Sequence, residues 1–400
     1  MLDFPSVDYE SFRRSPVGGI VPISGHDPRF GEEYEHFAFV PDPLPKSFDL
    51  QPDTWRAVNG AMLALGRLDQ AGCQVPDASM LRRPTLRREA QATSALEGTI
   101  APLIDVLGAE TDEYIGTGSD LAEVLNYVRA AEYAFARVGE GQPITPGLLF
   151  ELHSMLVRGT RADGPQAGRI RTIQVAIGAP DGRIQDARFV PPPAGLDLDA
   201  SLRDWADWVE RTAANAEDAV PAAAYAHYQF ETMHPFNDGN GRLGRLVIVL
   251  QLMRASVLRT PLLAVSPWFE TRRLLYQDNL QRVSMTGDWD TWVRFFTEGI
   301  RAQAESTARK VTEMLTLRDT LRQRARSERV KGVGIDIIED LTARPVVTIS
   351  NIATRHDVTP QAAGGAVNRL VKLGILEEMT ARQYGRVFAN RAMLSIVERS

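Results

Sequence analysis

The chain has 400 residues, 44% hydrophobic and 24% charged, the balance of a folded globular protein with room for two or three domains. A formal net charge of -6 excludes a protein that coats nucleic acid as a whole, and a single cysteine, Cys73, excludes an intramolecular disulfide framework and a multi-cysteine metal site. Asp3 and Pro5 stand where a secretory leader needs a basic start and an apolar core, and the longest apolar runs, such as 246–250, are too short to span a bilayer, so the expectation is a cytoplasmic protein without a membrane segment.

Residues 1–50 are rich in Pro, Gly, Asp and aromatics and read as an extended, partly ordered arm. From Asp53 the pattern turns helical: Trp55, Val58, Met62 and Leu65 recur at helical spacing, as do Leu86, Ala90 and Thr93. The second of these runs ends at Glu97-Gly98, a helix closed by a glycine stop, with Thr93 and Glu97 four apart on one face. Asp120 is a suitable N-cap for a helix carrying Leu121, Val124, Leu125 and Val128.

Between 174 and 193 the texture changes. Val175, Ile177, Ile184 and Val190 flank Asp181-Gly182, which predicts a hairpin and the one strand pair before residue 330. Helices resume around Leu202 and near Pro221, a favoured first-turn residue. A further helix is expected from about Arg242 to Ala255, and helical pattern fills 271–325. Trp205, Trp208, Trp289 and Trp292 read as core. The histidines 26, 36, 153, 227 and 356 show no ligand-like spacing and receive no metal. The final residues, 326–400, carry 11 Lys and Arg against 8 Asp and Glu, a charge shift that sets a domain boundary near 320–330. Within them 359–373 reads as a helix and 375–388 as a small hairpin.

The most informative segment is 234–245, His-Pro-Phe-Asn-Asp-Gly-Asn-Gly-Arg-Leu-Gly-Arg. Pro235 pushes His234 out of the helical region, so one helix ends near Met233 and another begins near Gly241. The first turn of that second helix offers unsatisfied N–H groups and the positive end of the dipole, an anion site. Gly239 and Gly241 permit the backbone of an anion nest. Arg242 and Arg245 share a helix face and suit a polyphosphate. Asp238 is the segment's one carboxylate, and magnesium on a nucleotide uses one or two such groups plus phosphate oxygens. His234 stands at the mouth of the turn, and histidine titrates near about 6.5, suited to accepting a hydroxyl proton. Singly, each of these residues also fits a plain helix–loop–helix with a buried histidine and solvated arginines; the constellation points to a nucleotide. No Walker-type loop ending in Lys-Ser or Lys-Thr competes for it.

The segment resembles the Fic family signature, His-Pro-Phe-x-Asp/Glu-Gly-Asn-Gly-Arg-x-x-Arg, at every defined position, over a resemblance spanning roughly residues 40–310. The resemblance implies an all-helical core with a small β-hairpin flap, in a mainly α protein. It implies that His234 deprotonates a target hydroxyl, that Asp238 binds Mg2+, and that Gly239, Asn240 and Gly241 form the anion hole. Arg242 is then expected at the nearer phosphates and Arg245 at the γ-phosphate of ATP, with Leu243 and Gly244 counted among the nucleotide-binding residues. The intact Gly-Asn-Gly-Arg run favours AMP transfer to a Ser, Thr or Tyr hydroxyl of a target protein, self-modification included. Alternatives are transfer of another group, removal of AMP, or a DNA-binding regulator whose core senses nucleotide.

Thr93, Glu97 and Gly98 are similar to the family's inhibitory motif, Ser/Thr-x-x-x-Glu-Gly/Asn, which implies that Glu97 pairs with Arg245 and occupies the place of the γ-phosphate. Without the family, the same residues read as a helix with solvated charges and a glycine cap. The segment 174–193 resembles the family's target-docking flap, or else a simple surface hairpin. Tyr276 and Asn279, one turn apart, resemble the adenine-binding region, although Tyr276 fits a core position equally and Thr271-Arg272 departs from the family's Asn-Arg. Residues 326–400 resemble a winged helix, with Arg355, Arg369 and Arg386 able to meet DNA phosphates and residues 384–388 in the wing. The expected division is an N-terminal arm and inhibitory region, 1–110, a catalytic domain, 111–325, and a winged-helix module, 326–400. A homodimer is also expected from the family.

Overall fold

A computed structural model describes residues 9–27, 29–73, 79–109, 119–179, 182–379 and 386–399. Among the described residues the protein is mainly helical with two small antiparallel sheets. The chain forms two compact units. One draws on Met1–Leu63, Arg129–Arg259 and Thr271–Arg301; the other on Ala64–Val128, Thr260–Glu270 and Ala302–Ser400.

In the first unit a short helix, Tyr9–Arg13, precedes a β-hairpin, β1 (Gly18–Asp27) and β2 (Glu32–Pro41), paired in register from Gly18 opposite Pro41 to Asp27 opposite Glu32. The expectation of an extended arm, and of a single strand pair at 174–193, is therefore corrected: the ten-residue ladder lies here. Its turn is fixed by Asp27, whose carboxylate accepts from the Arg29 amide at 3.0 Å and from the Arg29 side chain, and whose carbonyl accepts from the Gly31 amide at 2.8 Å. Gly31, at φ 69°, supplies the left-handed residue such a turn requires. The 174–193 segment keeps one isolated bridge, Ile177 with Phe189, and a 3-10 turn over Ile184–Asp186. The Pro191-Pro192-Pro193 run lacks the N–H groups a second strand would need. Asp181 of the expected Asp181-Gly182 turn lies outside the described residues.

Helices follow in chain order across both units. α1 (Pro52–Gly72) opens on proline, its favoured first position. α2 (Ser79–Leu96) contains Pro84, and α3 covers Ser119–Gly139. α4 (Pro146–Val157) is capped by the Thr145 side chain, which accepts from the Leu148 amide at 3.2 Å. α5 (Leu196–Thr212) leads into the buried pair α6 (Ala219–Met233) and α7 (Asn240–Arg254). Both are buried nearly all round, polar residues such as His227, Gln229, Arg242 and Arg245 included. Two indoles clamp α6, Trp205 donating to the Ala226 carbonyl and Trp292 to that of Ala224, each at 2.9 Å. Trp208 donates to Pro45 at 2.8 Å, and Trp289 stacks on Tyr225 at 3.8 Å; all four tryptophans are structural. α8 (Arg273–Thr286) and the 39-residue α9 (Trp289–Ser327) follow.

In the second unit, α10 (Val333–Asp340), β3 (Val346–Thr348), α11 (Ile349–Arg355), α12 (Pro360–Lys372) and β5 (Val387–Ala389) contribute to one apolar core, and the unit also contains β4 (Glu377–Glu378) and α13 (Arg391–Glu398). That core includes Ile338, Val367, Leu370 and Phe388, and Leu321 and Ala325 of α9 join it. The sheet order is β3-β5-β4. Thr348 and Thr359 cap α11 and α12. The expected helices and small hairpin are present here, with Tyr384 and Gly385 of the expected wing outside the described residues. No described helix is long and apolar enough to cross a membrane.

Candidate active site

Helix α6 stops where Pro235 forbids its continuation, and His234 closes it in the left-handed region at φ 47°, ψ 60°. A histidine there is unusual, and its neighbours hold it. The His234 amide donates to Phe230 at 3.0 Å, and Nδ1 lies 3.2 Å from the Glu231 carbonyl. A carbonyl only accepts, so this contact places the proton of the neutral ring on Nδ1 and leaves the lone pair on Nε2.

The turn that follows is tied internally. The Asn240 side chain accepts from the Phe236 amide at 2.9 Å and donates to the Phe236 carbonyl at 2.8 Å. Gly239 sits at φ 77°, the left-handed step that a Cβ would strain. Leu243 begins the intrahelical ladder by donating to the Gly239 carbonyl at 3.0 Å. The amides of 240–242 therefore open α7, where backbone N–H groups have no intrahelical acceptor and the dipole is positive. Such a helix start suits an anion, and His234 lies six residues before it.

Asp238 accepts from the Gly239 amide at 2.5 Å and from Arg242 at 3.1 Å, and Arg161 stands 3.6 Å from its second oxygen. Its side chain remains 28% exposed, reachable from outside. One carboxylate with no second ligand cluster among the described residues fits a magnesium ion held mainly by phosphate oxygens, not a closed protein cage. Arg242 and Arg245 are each 2% exposed. The side chain of Leu243 is in the core. A Cβ on Gly244 would stand 2.6 Å from Glu231 Oε1 and 3.1 Å from Phe230, so Gly244 allows α6 and α7 to approach closely.

Tyr276 and Asn279 are 5% and 4% exposed. The Tyr276 hydroxyl lies 2.7 Å from Nε2 of His227, and Asn279 donates to the Leu275 carbonyl at 2.8 Å. Burial, and then the positive charge of Arg245, hold His227 down to about 3, so His227 is a neutral core histidine beneath the α7 arginines.

Two residues that build the site escape sequence reasoning. His153 on α4 stacks on Phe236 at 4.1 Å, accepts from the Gly168 amide at 2.8 Å through Nδ1 and so donates from Nε2 to the Asp238 carbonyl at 2.9 Å; burial holds its pKa low. Arg171, 1% exposed, donates to His234, Ile173, Pro192 and Met233 carbonyls, while its own amide donates to Pro235 at 2.9 Å. Neither has a spacing that announces it, because their partners are main-chain groups.

The 174–193 segment packs against β2. Ala38, Ile184, Ala187 and Val190 form a small core, and the Phe39 amide donates to Val190 at 2.9 Å. Arg188 pairs with Asp278 and reaches Gln281 at 2.7 Å.

In the second unit, α2 ends as expected. The Glu97 and Gly98 amides donate to Ser94 and Ala95, each at 3.0 Å, and Gly98 turns left-handed at φ 93°. Thr93 is buried and Glu97 exposed. Buried Glu89 anchors the same helix by accepting from the Ser266 amide at 2.8 Å and from its hydroxyl.

Residues 143–252, which hold the helix closed by a left-handed histidine and the glycine-rich turn that opens the next helix, match the Fic/DOC family, and residues 55–136 match the Fic/DOC family N-terminal region. The protein adenylyltransferase fic-1 of Caenorhabditis briggsae is 36% identical over 107 residues, 27% of this chain and 19% of that protein. The protein adenylyltransferase Fic of Aedes aegypti is 31% identical over 210 residues, 52% of this chain and 36% of that protein. The chain thus spans between 19% and 36% of the length of these two curated relatives. A Fic family protein from Desulfovibrio desulfuricans G20 shares the fold at a TM-score of 0.54 and 20% identity, covering 87% of this chain and 98% of that one.

Proposed function

We propose that this protein is an adenylyltransferase that moves AMP from ATP to a hydroxyl of a protein target, itself included. The observation that carries the reading is the adjacency of His234, with its lone pair on Nε2, to the amides that open α7 at Asn240. In the proposed reaction the target oxygen attacks the α-phosphorus and its proton passes to His234 Nε2. The bond to the bridging oxygen breaks and pyrophosphate leaves. The 240–242 amides with Arg242 and Arg245 hold the phosphates in line and offset charge on the leaving group. Asp238 would hold Mg2+, which supplies further charge neutralisation when bound. The 174–193 segment would align the target by its main chain, and Glu97 would hold the enzyme in check.

Residues 333–398 fit a winged-helix module on their order of elements. Arg355 pairs with Asp340, Arg369 donates to the Glu328 carbonyl and Arg386 pairs with Glu378. These engagements occupy the three arginines that a DNA reading would place at phosphates.

The test is incubation with Mg·ATP and a lysate, followed by intact-mass and peptide mass spectrometry, alongside His234→Ala. A mass gain of one AMP is expected on a hydroxyl side chain, with His234→Ala reducing the rate at least about 10²-fold while ATP still binds. A different added group, or a variant with native turnover, overturns the assignment.

A further inference from the structure

Arg171 is a buried cation whose side-chain partners are all main-chain carbonyls. Nε donates to His234 at 2.8 Å and Nη1 to Ile173 at 3.2 Å, while Nη2 donates to Pro192 and, at 3.4 Å, to Met233. Among the described residues no carboxylate pairs with it, and burial pulls the guanidinium down to about 10. An apolar side chain could fill the same space without that desolvation. What only a guanidinium supplies is a rigid plane of donors that reaches several acceptors at once.

The acceptors fall in three places. Met233 and His234 are the end of α6 and the proposed base; Ile173 is the entry to the 174–193 segment; Pro192 is its exit. The Arg171 amide adds the Pro235 carbonyl at 2.9 Å, so both peptide groups on either side of the His234–Pro235 bond are held by one residue. Ile177 and Phe189 form the segment's isolated bridge, at 2.9 and 3.1 Å, and the roots of that segment are otherwise joined by Gln174 donating to Pro191 at 2.8 Å.

We propose that Arg171 is a positioning residue that fixes the distance and angle between the His234 imidazole and the segment that presents the target hydroxyl. The inference rests on the AMP-transfer reading above. In that reading a displacement of about 1 Å between base and acceptor costs about 10²-fold in rate without affecting nucleotide affinity.

The experiment uses Arg171→Lys and Arg171→Gln in the full chain, in wild type and in the Glu97→Gly background. R171K keeps charge and most of the volume, so it decides the matter if R171Q fails to fold. AMP transfer is measured per Mg·ATP-binding site, which removes the contribution of unfolded molecules. R171K is expected to bind Mg·ATP within about twofold of its parent while kcat falls at least about tenfold. Amide exchange at Ile177 and Phe189 is expected to rise at least about tenfold, with exchange inside α7 unchanged. Native kcat per site or native exchange at those two amides overturns the role. If neither parent transfers AMP, the proposed function falls, and the exchange measurement still decides whether Arg171 fixes the segment.

Discussion

Phe236 and Asn240 hold each other twice across the turn, amide to side-chain oxygen at 2.9 Å and side-chain nitrogen to carbonyl at 2.8 Å. Phe236 is fully buried and Asn240 is 1% exposed, so neither main-chain group of Phe236 can turn to water if the side chain is removed. Asn240→Ala should therefore cost about 1–3 kcal/mol of stability, measured as the shift in urea midpoint. It should also weaken Mg·ATP binding, because the same side chain orients the amides that open α7. A midpoint within experimental error of wild type would show that the turn is held by its neighbours alone.

The proposed restraint by Glu97 is electrostatic, so it is testable without shortening the side chain. Glu97 is exposed just past the end of α2, before the left-handed Gly98. Glu97→Gln keeps shape and removes charge; Glu97→Gly removes both. Both should raise AMP transfer, by about 5- to 150-fold if the coupling has the usual size of about 1–3 kcal/mol. Radiolabelling with ATP reads this out. Equal labelling of wild type and both variants would end the autoinhibition proposal. Release by E97G but not E97Q would make the restraint steric.

Local determinants made part of this molecule legible. Pro235 ends α6, Gly239 permits the left-handed step and α7 opens at Asn240, all consequences of residues within a few positions of one another. The threonine caps of α11 and α12 are equally local. The β1–β2 hairpin was not legible, because its apolar residues gain their core from Ile184, Ala187 and Val190, far along the chain. His153 and Arg171 were hidden for a related reason. Each is fixed by carbonyl and amide groups, which every residue possesses, so no residue type marks the partner.

His227 gives the site a pH dependence whose sign follows from burial. In the folded chain it is held down to about 3, first by burial and then by Arg245, with Glu231 4.0 Å from Nε2 and the Tyr276 hydroxyl at 2.7 Å. Unfolded, histidine titrates near about 6.5. Between these values the unfolded chain holds a proton that the folded one does not, so stability is complete above about 6.5 and declines as pH falls toward about 3. The slope attributable to this residue approaches about 1.4 kcal/mol per pH unit. His227→Gln should flatten the urea-derived stability curve between pH 6 and about 4.5 relative to wild type. His153, held low by burial, leaves a slope of the same sign in the variant. Parallel curves would mean that His227 protonates in the folded protein.

Phe39 links the N-terminal hairpin to the proposed docking segment. It is 3% exposed, its ring lies 5.6 Å from Phe12 and 5.9 Å from Phe189, and its amide donates to the Val190 carbonyl at 2.9 Å. Truncation to alanine removes the ring contacts yet keeps the main-chain bond, so the cost is mostly packing, about 3–5 kcal/mol. Phe39→Leu refills much of the volume and should cost far less. If the hairpin steadies the segment that presents the target, kcat/KM for the protein target should fall in F39A, recover in F39L, and leave Mg·ATP affinity unchanged in both. Loss of ATP affinity in step with target turnover would place the effect in general unfolding. Native target turnover in a folded F39A protein would show that the hairpin carries no part of the docking geometry.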